Sequence, residues 1–152
     1  MLIRPVQVPD LPFLKHVLST IELFPAHLLE KMIADYWKEG TDHIWLTCEW
    51  EEEPAALAYG TPEKFTEGTF NLHAVGVLKD LHRKRIGQAL LAYIENLLYE
   101  RGYRFLIVAT SGAPAMERTR QFYLRCGYIH EATLREFWQA GEDKWIFWKK
   151  LA

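Results

Sequence analysis

The chain has 152 residues, enough for one domain with a sizeable core and too few for two cores joined by a linker. Apolar residues make up 49% and charged residues 25%, which excludes the polar, highly charged composition of a disordered chain. Eighteen Lys and Arg against twenty Asp and Glu leave a formal net charge of −2, so no global field draws the protein to nucleic acid or to an anionic membrane.

Apolar runs such as Phe105 to Ala109 fall far short of the ~20 residues of a membrane-spanning helix, and the Met1-Leu2-Ile3-Arg4-Pro5 start lacks the pattern of a signal peptide. A cytoplasmic protein, one domain over residues 1–152, is expected. Cys48 and Cys126 have neither CxxC nor Cys/His ligand spacing, so they read as buried free thiols, with no metal site.

Leu2 to Val6 reads as a short edge strand. Asp10-Leu11-Pro12 then opens a helix, with Asp10 as its capping carboxylate and Leu14, Val17, Leu18 and Ile21 facing inward. After Pro25, the residues Leu28, Leu29, Met32, Ile33 and Tyr36 recur at helical spacing and predict a second helix, which Gly40-Thr41-Asp42 ends. Strands follow over His43 to Trp50, Ala55 to Glu63 and Gly68 to Leu78, joined by short turns, and predict an antiparallel meander.

Ile86, Leu90, Tyr93, Ile94 and Leu97 share one helical face, Gly102 stands where a C-terminal cap belongs, and Phe105 to Ala109 is an unbroken apolar strand. This strand, helix, strand unit predicts a parallel pair with a right-handed crossover. Pro114 starts a last helix, in which Met116, Arg120 and Tyr123 share one face beside that of Thr119, Phe122 and Cys126, and Gly127 ends it. Two strands close the chain, roughly Ile129 to Phe137 and Lys144 to Leu151. The sum is a mixed α/β (α+β) sheet with helices on its faces.

The segment His82-Arg83-Lys84-Arg85-Ile86-Gly87-Gln88 crowds basic side chains into a strand-to-helix turn, where free N–H groups and the positive end of the helix dipole already favour an anion. Gly87 leaves room for close approach to the backbone, at a cost of up to ~1 kcal/mol in a helix interior, and a phosphate-bearing ligand fits the place. Neither GxxxxGK[ST] nor GxGxxG occurs, which excludes a P-loop and a dinucleotide fingerprint. One short basic cluster on a net acidic chain argues against nucleic-acid binding, which needs a wider basic surface with interleaved aromatics.

The strand N-L-H-A-V-G-V at residues 71–77, the turn H-R-K-R-I-G-Q-A-L-L from His82, and R-Q-F-Y-L-R-C-G-Y from Arg120 resemble the GNAT superfamily of N-acetyltransferases. The resemblance implies that family's fold, a central mixed, mostly antiparallel sheet of about seven strands flanked by about four helices. It implies acetyl-CoA as cofactor, with coenzyme A as product. The family's pyrophosphate loop reads Arg or Gln, two free positions, Gly, one free position, then Gly or Ala, and here those places hold His82, Arg85 and Gly87. Arg85 is compatible with backbone binding where the local backbone is right-handed helical. By this correspondence the N–H groups of Arg83, Lys84, Arg85, Ile86, Gly87 and Gln88 would hold the pyrophosphate. Arg83, Lys84 or Arg85 would pair with the ribose phosphate, and the backbone of the Val75-Gly76-Val77 stretch would take the pantetheine like an added strand.

Acetyl transfer needs a base, because an alkylammonium has a pKa near 10, and an acid for the departing thiolate. Asn71, His73 and Val75 share one strand face by alternation, and the ordinary pKa of His, ~6.5, makes His73 the candidate base, with Asn71 able to hold a water in a relay. The resemblance makes Tyr123 the general acid toward sulfur. It also puts Met116 where the family often has a cofactor-binding Asn, with Arg120 one turn on as a substitute. The acceptor side would draw on Phe24, His27, Asp35, Trp37, Glu136, Trp138 and Glu142, aromatic and acidic groups suited to a cationic amine.

The expected reaction is transfer of acetyl to a primary amine, on a small molecule or a peptide, by direct transfer in a ternary complex. A catalytically degenerate acyl-CoA-binding sensor or interaction module is the alternative. The strand carrying Trp145-Ile146-Phe147-Trp148 offers an edge for pairing two copies as a homodimer.

Overall fold

The computed structural model describes residues 1–151. Seven strands, β1 (Leu2–Pro5), β2 (Ile44–Trp50), β3 (Glu53–Pro62), β4 (Thr69–Val77), β5 (Phe105–Ser111), β6 (Ile129–Gln139) and β7 (Glu142–Lys150), run in the order β1-β2-β3-β4-β5-β7-β6. Four α-helices accompany them: α1 (Leu11–Thr20), α2 (Leu29–Ile33), α3 (Ile86–Glu100) and α4 (Glu117–Arg125). The β4–β5 pair is parallel, and β1–β2, β2–β3, β5–β7 and β6–β7 are antiparallel. By compactness the chain divides within β4 and within α3: residues 1–62 and 73–94 form one unit, residues 63–72 and those from Glu95 the other.

In the first unit, α1 and α2 bury Leu14, Leu18, Leu29 and Ile33 against Trp45 of β2, Leu57 of β3 and Ala74 of β4. The β2–β3 hairpin turns through Glu51 and Glu52, both at positive φ (52° and 70°), the handedness that a two-residue hairpin demands and that Asn or Gly usually supplies. Two sequence expectations are corrected here. Asp10 does not cap α1; its carboxylate takes two hydrogen bonds from Arg4 (2.8 and 2.9 Å) and one from the Gln7 N–H (2.7 Å). The predicted second helix is one short α-helical stretch between two 3-10 turns, Ala26–Leu28 and Ala34–Trp37, because only Leu29 and Ile33 are fully buried along it.

In the second unit, Phe70, Leu106, Val108, Tyr123, Tyr128 and Phe147 are buried. The C-terminal cap of α3 forms as read: Gly102 has φ +87° and the Tyr103 N–H reaches the Leu98 carbonyl at 3.0 Å. Gly127 ends α4 in the same way, with the Tyr128 N–H on the Tyr123 carbonyl. The homodimer reading assumed that the last strand is an edge. It is not: β7 lies between β5 and β6, so Trp145, Ile146, Phe147 and Trp148 sit on an interior strand and the edge belongs to β6. Among the described residues no helix is long and apolar enough to cross a membrane.

Candidate functional site

The first unit contains the turn between β4 and α3. A 3-10 turn over Lys79–Leu81 leads into it, and His82 folds back so that its Nε2 lies 2.8 Å from the Val77 carbonyl oxygen, the last of β4. Arg83 and Arg85 both have left-handed backbones (φ 71° and 62°) on either side of Lys84, whose φ is not positive. The right-handed backbone required of Arg85 by the sequence reading is therefore not what the chain adopts. The Lys84 N–H reaches the Leu81 carbonyl at 3.4 Å, so this one of the amides expected to hold a pyrophosphate is already engaged. The first backbone bond of α3 runs from the Ala89 N–H to the Arg85 carbonyl (3.1 Å), so the N–H groups of Ile86, Gly87 and Gln88 have no helical carbonyl to reach. Ile86 is buried and anchors the turn, while His82, Arg83, Lys84 and Arg85 are exposed.

In the same unit, His73 is exposed, its Nε2 lies 2.7 Å from Thr61 Oγ1 on β3, and its ring centre is 5.0 Å from that of Tyr59. Tyr59 stacks on Trp45 at 4.2 Å, and burial, then the charge of Asp35, raises its phenol above the usual tyrosine value. A Cβ on Gly76 would stand 2.6 Å from Ile21 Cδ1 and 3.1 Å from Leu23 Cδ2, which is why the strand carries glycine where the end of α1 covers it. Val75 and Val77 lie beyond the last partner pair of the β4–β5 register, Leu72↔Val108.

In the second unit, Asn71 donates from Nδ2 to Glu63 Oε2 at 3.1 Å. Thr61, Tyr59 and Glu63 were missed by the sequence reading. Alternation marks Tyr59 and Thr61 as one face of β3, but only cross-strand register pairs them with a particular residue of β4.

Tyr123 is 5% exposed, with ring centres of Phe122, Phe147 and Tyr128 at 5.3, 5.4 and 5.6 Å, and burial pushes its phenol well above the usual tyrosine range. Arg120, also buried, donates to the carbonyls of Ser111 (2.8 Å) and Ala113 (2.6 Å) and to Glu117 Oε2 (2.7 Å), and lies over the Trp145 ring. Its guanidinium thus ties the end of β5 to α4. Met116 is half-buried at the start of that helix.

The model of the Acetyltransferase (GNAT) family matches residues 12–128. The chain belongs to this family. An acetyltransferase of the GNAT family from Desulfovibrio desulfuricans superimposes with a TM-score of 0.92 at 27% identity, covering 99% of each chain. The ribosomal-protein-S18-alanine N-acetyltransferase from Escherichia coli has a TM-score of 0.81 at 21% identity, over 99% of this chain and 94% of its own. An aminoglycoside 6'-N-acetyltransferase complexed with coenzyme A has a TM-score of 0.73 at 17% identity, over 100% and 98%. At such identities the last two show the shared fold. A comparison with curated protein sequences gives no match.

The residues expected on the acceptor side of this acetyltransferase are dispersed in role. Phe24 packs on the core cluster beside Met32 and Tyr36. Asp35 pairs with Lys38 at 2.6 Å, a hydrogen bond that holds its carboxyl below the usual range, while His27 and Trp37 are exposed. In the β6–β7 hairpin, Glu136 Oε1 accepts the Gly141 N–H at 3.0 Å, Glu142 opens β7 opposite Gln139, and Trp138 is exposed.

Proposed function

We propose that residues 1–152 act as one N-acetyltransferase domain that moves the acetyl group of acetyl-CoA to a primary amine by direct transfer in a ternary complex. The observation that carries this reading is the turn at Arg83–Gln88, where left-handed residues flank Lys84 and three amide N–H groups open a helix among four basic side chains. Such a turn suits a pyrophosphate despite its departures from the family pattern. The exposed side chains of Arg83, Lys84 and Arg85 are assigned to the ribose phosphate, and the backbone of Val75 and Val77 to the pantetheine arm.

Acetyl-CoA supplies the acetyl thioester, so the chain must supply a base for the amine and a proton for the departing sulfur. His73 takes the ammonium proton, and its 2.7 Å contact with Thr61 fixes the ring's orientation. Asn71 holds a water in this relay. Tyr123 keeps its proton at neutral pH. A phenol raised so far above a thiol's ordinary ~8.5 acts foremost by donating a hydrogen bond that stabilises the sulfur anion.

Release of free thiol from acetyl-CoA across a panel of primary amines tests the proposal. Tyr123→Phe keeps the ring and its packing, and is expected to lower kcat by roughly 10²-fold or more with little change in KM. Wild-type kcat in that variant would remove Tyr123 from the mechanism. Binding of acetyl-CoA without turnover on any amine would leave an acyl-CoA sensor.

A further inference from the structure

Within the first unit, a wall of rings holds His73 on Thr61. Tyr59 and Thr61 alternate onto one side of β3. The His73 ring tilts against Tyr59, with centres 5.0 Å apart, and Tyr59 is stacked at 4.2 Å and 15° on its cross-strand partner Trp45, which is fully buried. The ring so supported keeps Nε2 at 2.7 Å from Thr61 Oγ1. A contact this short holds one proton between the two atoms, and its direction decides which nitrogen can act as a base. Among the described residues the Thr61 hydroxyl has one hydrogen-bond partner, His73 Nε2. The hydroxyl therefore donates to it. A neutral imidazole that accepts at Nε2 carries its own hydrogen on Nδ1, so the basic lone pair of the ring lies behind the threonine hydroxyl.

We propose that Thr61 is a catalytic residue that relays the acceptor's proton to His73. The N–H bond of the acceptor ammonium breaks as an O–H bond forms at Thr61 Oγ1. The original Oγ1–H bond breaks as an N–H bond forms at His73 Nε2. The products are a neutral amine, an unchanged threonine hydroxyl and an imidazolium. The source of the proton rests on the acetyltransferase reading, whereas the direction of the hydroxyl rests on the geometry alone.

The first test needs no acetyl-CoA. Imidazole 15N signals of His73, assigned by their loss in His73→Asn and recorded above the ring's titration, should show the hydrogen on Nδ1 in wild type. Thr61→Val keeps the branched shape of the side chain and should release the ring to the Nε2–H form that free imidazole side chains prefer, while Thr61→Ser should keep Nδ1–H. The second test is turnover with an amine that releases thiol in wild type. Thr61→Val should lower kcat roughly 10²-fold with the Kd of acetyl-CoA within about twofold of wild type, and Thr61→Ser should recover kcat to within about fivefold. Hydrogen on Nε2 in the wild-type ring, or wild-type kcat in Thr61→Val, overturns the relay alone and leaves His73 to take the proton itself. Thiol release with no amine in wild type removes the transfer reading, and the relay falls with it.

Discussion

Replacing Arg85 with glycine should not destabilise the protein, although glycine usually costs stability. The Arg85 backbone is left-handed (φ 62°), a conformation that costs a residue with a side chain about 1–2 kcal/mol. Glycine removes that cost and adds about 0.4–1 kcal/mol of chain entropy to the unfolded state. The balance is about 0 to +1.6 kcal/mol. Lys84→Gly is the control, because it removes the same charge from the same turn at a residue whose φ is not positive, so it carries the entropy cost without the relief. The two variants should differ by about 1–2 kcal/mol, or roughly 2–8 °C in Tm at 2–4 °C per kcal/mol for a domain of this size. Thermal unfolding by circular dichroism reads this directly. Equal Tm losses in both variants would refute the left-handed backbone at Arg85. Because the same N–H groups remain, acetyl-CoA affinity in Arg85→Gly should fall only by the share of one phosphate contact.

Asp10→Asn should lower stability by about 1.5–3 kcal/mol, since it breaks charged hydrogen bonds to a half-buried Arg4 that also holds Glu49 at 2.6 Å. Arg4 holds the Asp10 carboxyl below its usual value, so this contribution is fully present above the unfolded pKa of ~3.9 and disappears as pH falls through the lower folded value. Urea midpoints measured from pH 7 downward should converge for the variant and wild type below pH ~4; a constant gap would sink the linkage. Gly112→Ala would bring a Cβ within 2.8 Å of Trp145 Nε1. That indole is fixed between the His130 ring at 3.6 Å and Arg120, so the overlap should cost about 1–3 kcal/mol, seen as a Tm lower by several degrees. An unchanged Tm would mean that the indole yields.

The order of strands and helices was legible in the sequence because each long element carries its own period and punctuation. Of the face read as Ile86, Leu90, Tyr93, Ile94 and Leu97, the first two and Ile94 are buried, while Tyr93 is exposed, Leu97 is half-buried and Leu98 is buried instead; Gly102 and Gly127 end their helices with the positive φ that such caps need. Where local preference met a tertiary partner, the partner won. Asp10 has the chemistry of a cap, but the Arg4 guanidinium takes its carboxylate. The segment after Pro25 has helical spacing, but a one-turn α-helix between two 3-10 turns suffices to bury Leu29 and Ile33. The partners of His73 and Asn71, namely Thr61 and Glu63, lie 12 and 8 residues away and depend on register, which period alone does not specify.

Thermal unfolding with and without acetyl-CoA tests the cofactor turn most directly. At about 100 times its dissociation constant, a ligand that binds only the folded chain adds about 2.7 kcal/mol, and Tm should rise by roughly 5–11 °C. An unchanged Tm at millimolar acetyl-CoA would contradict the account, because the Arg83–Gln88 turn would then hold no pyrophosphate and neither His73 nor Tyr123 would have a thioester to serve.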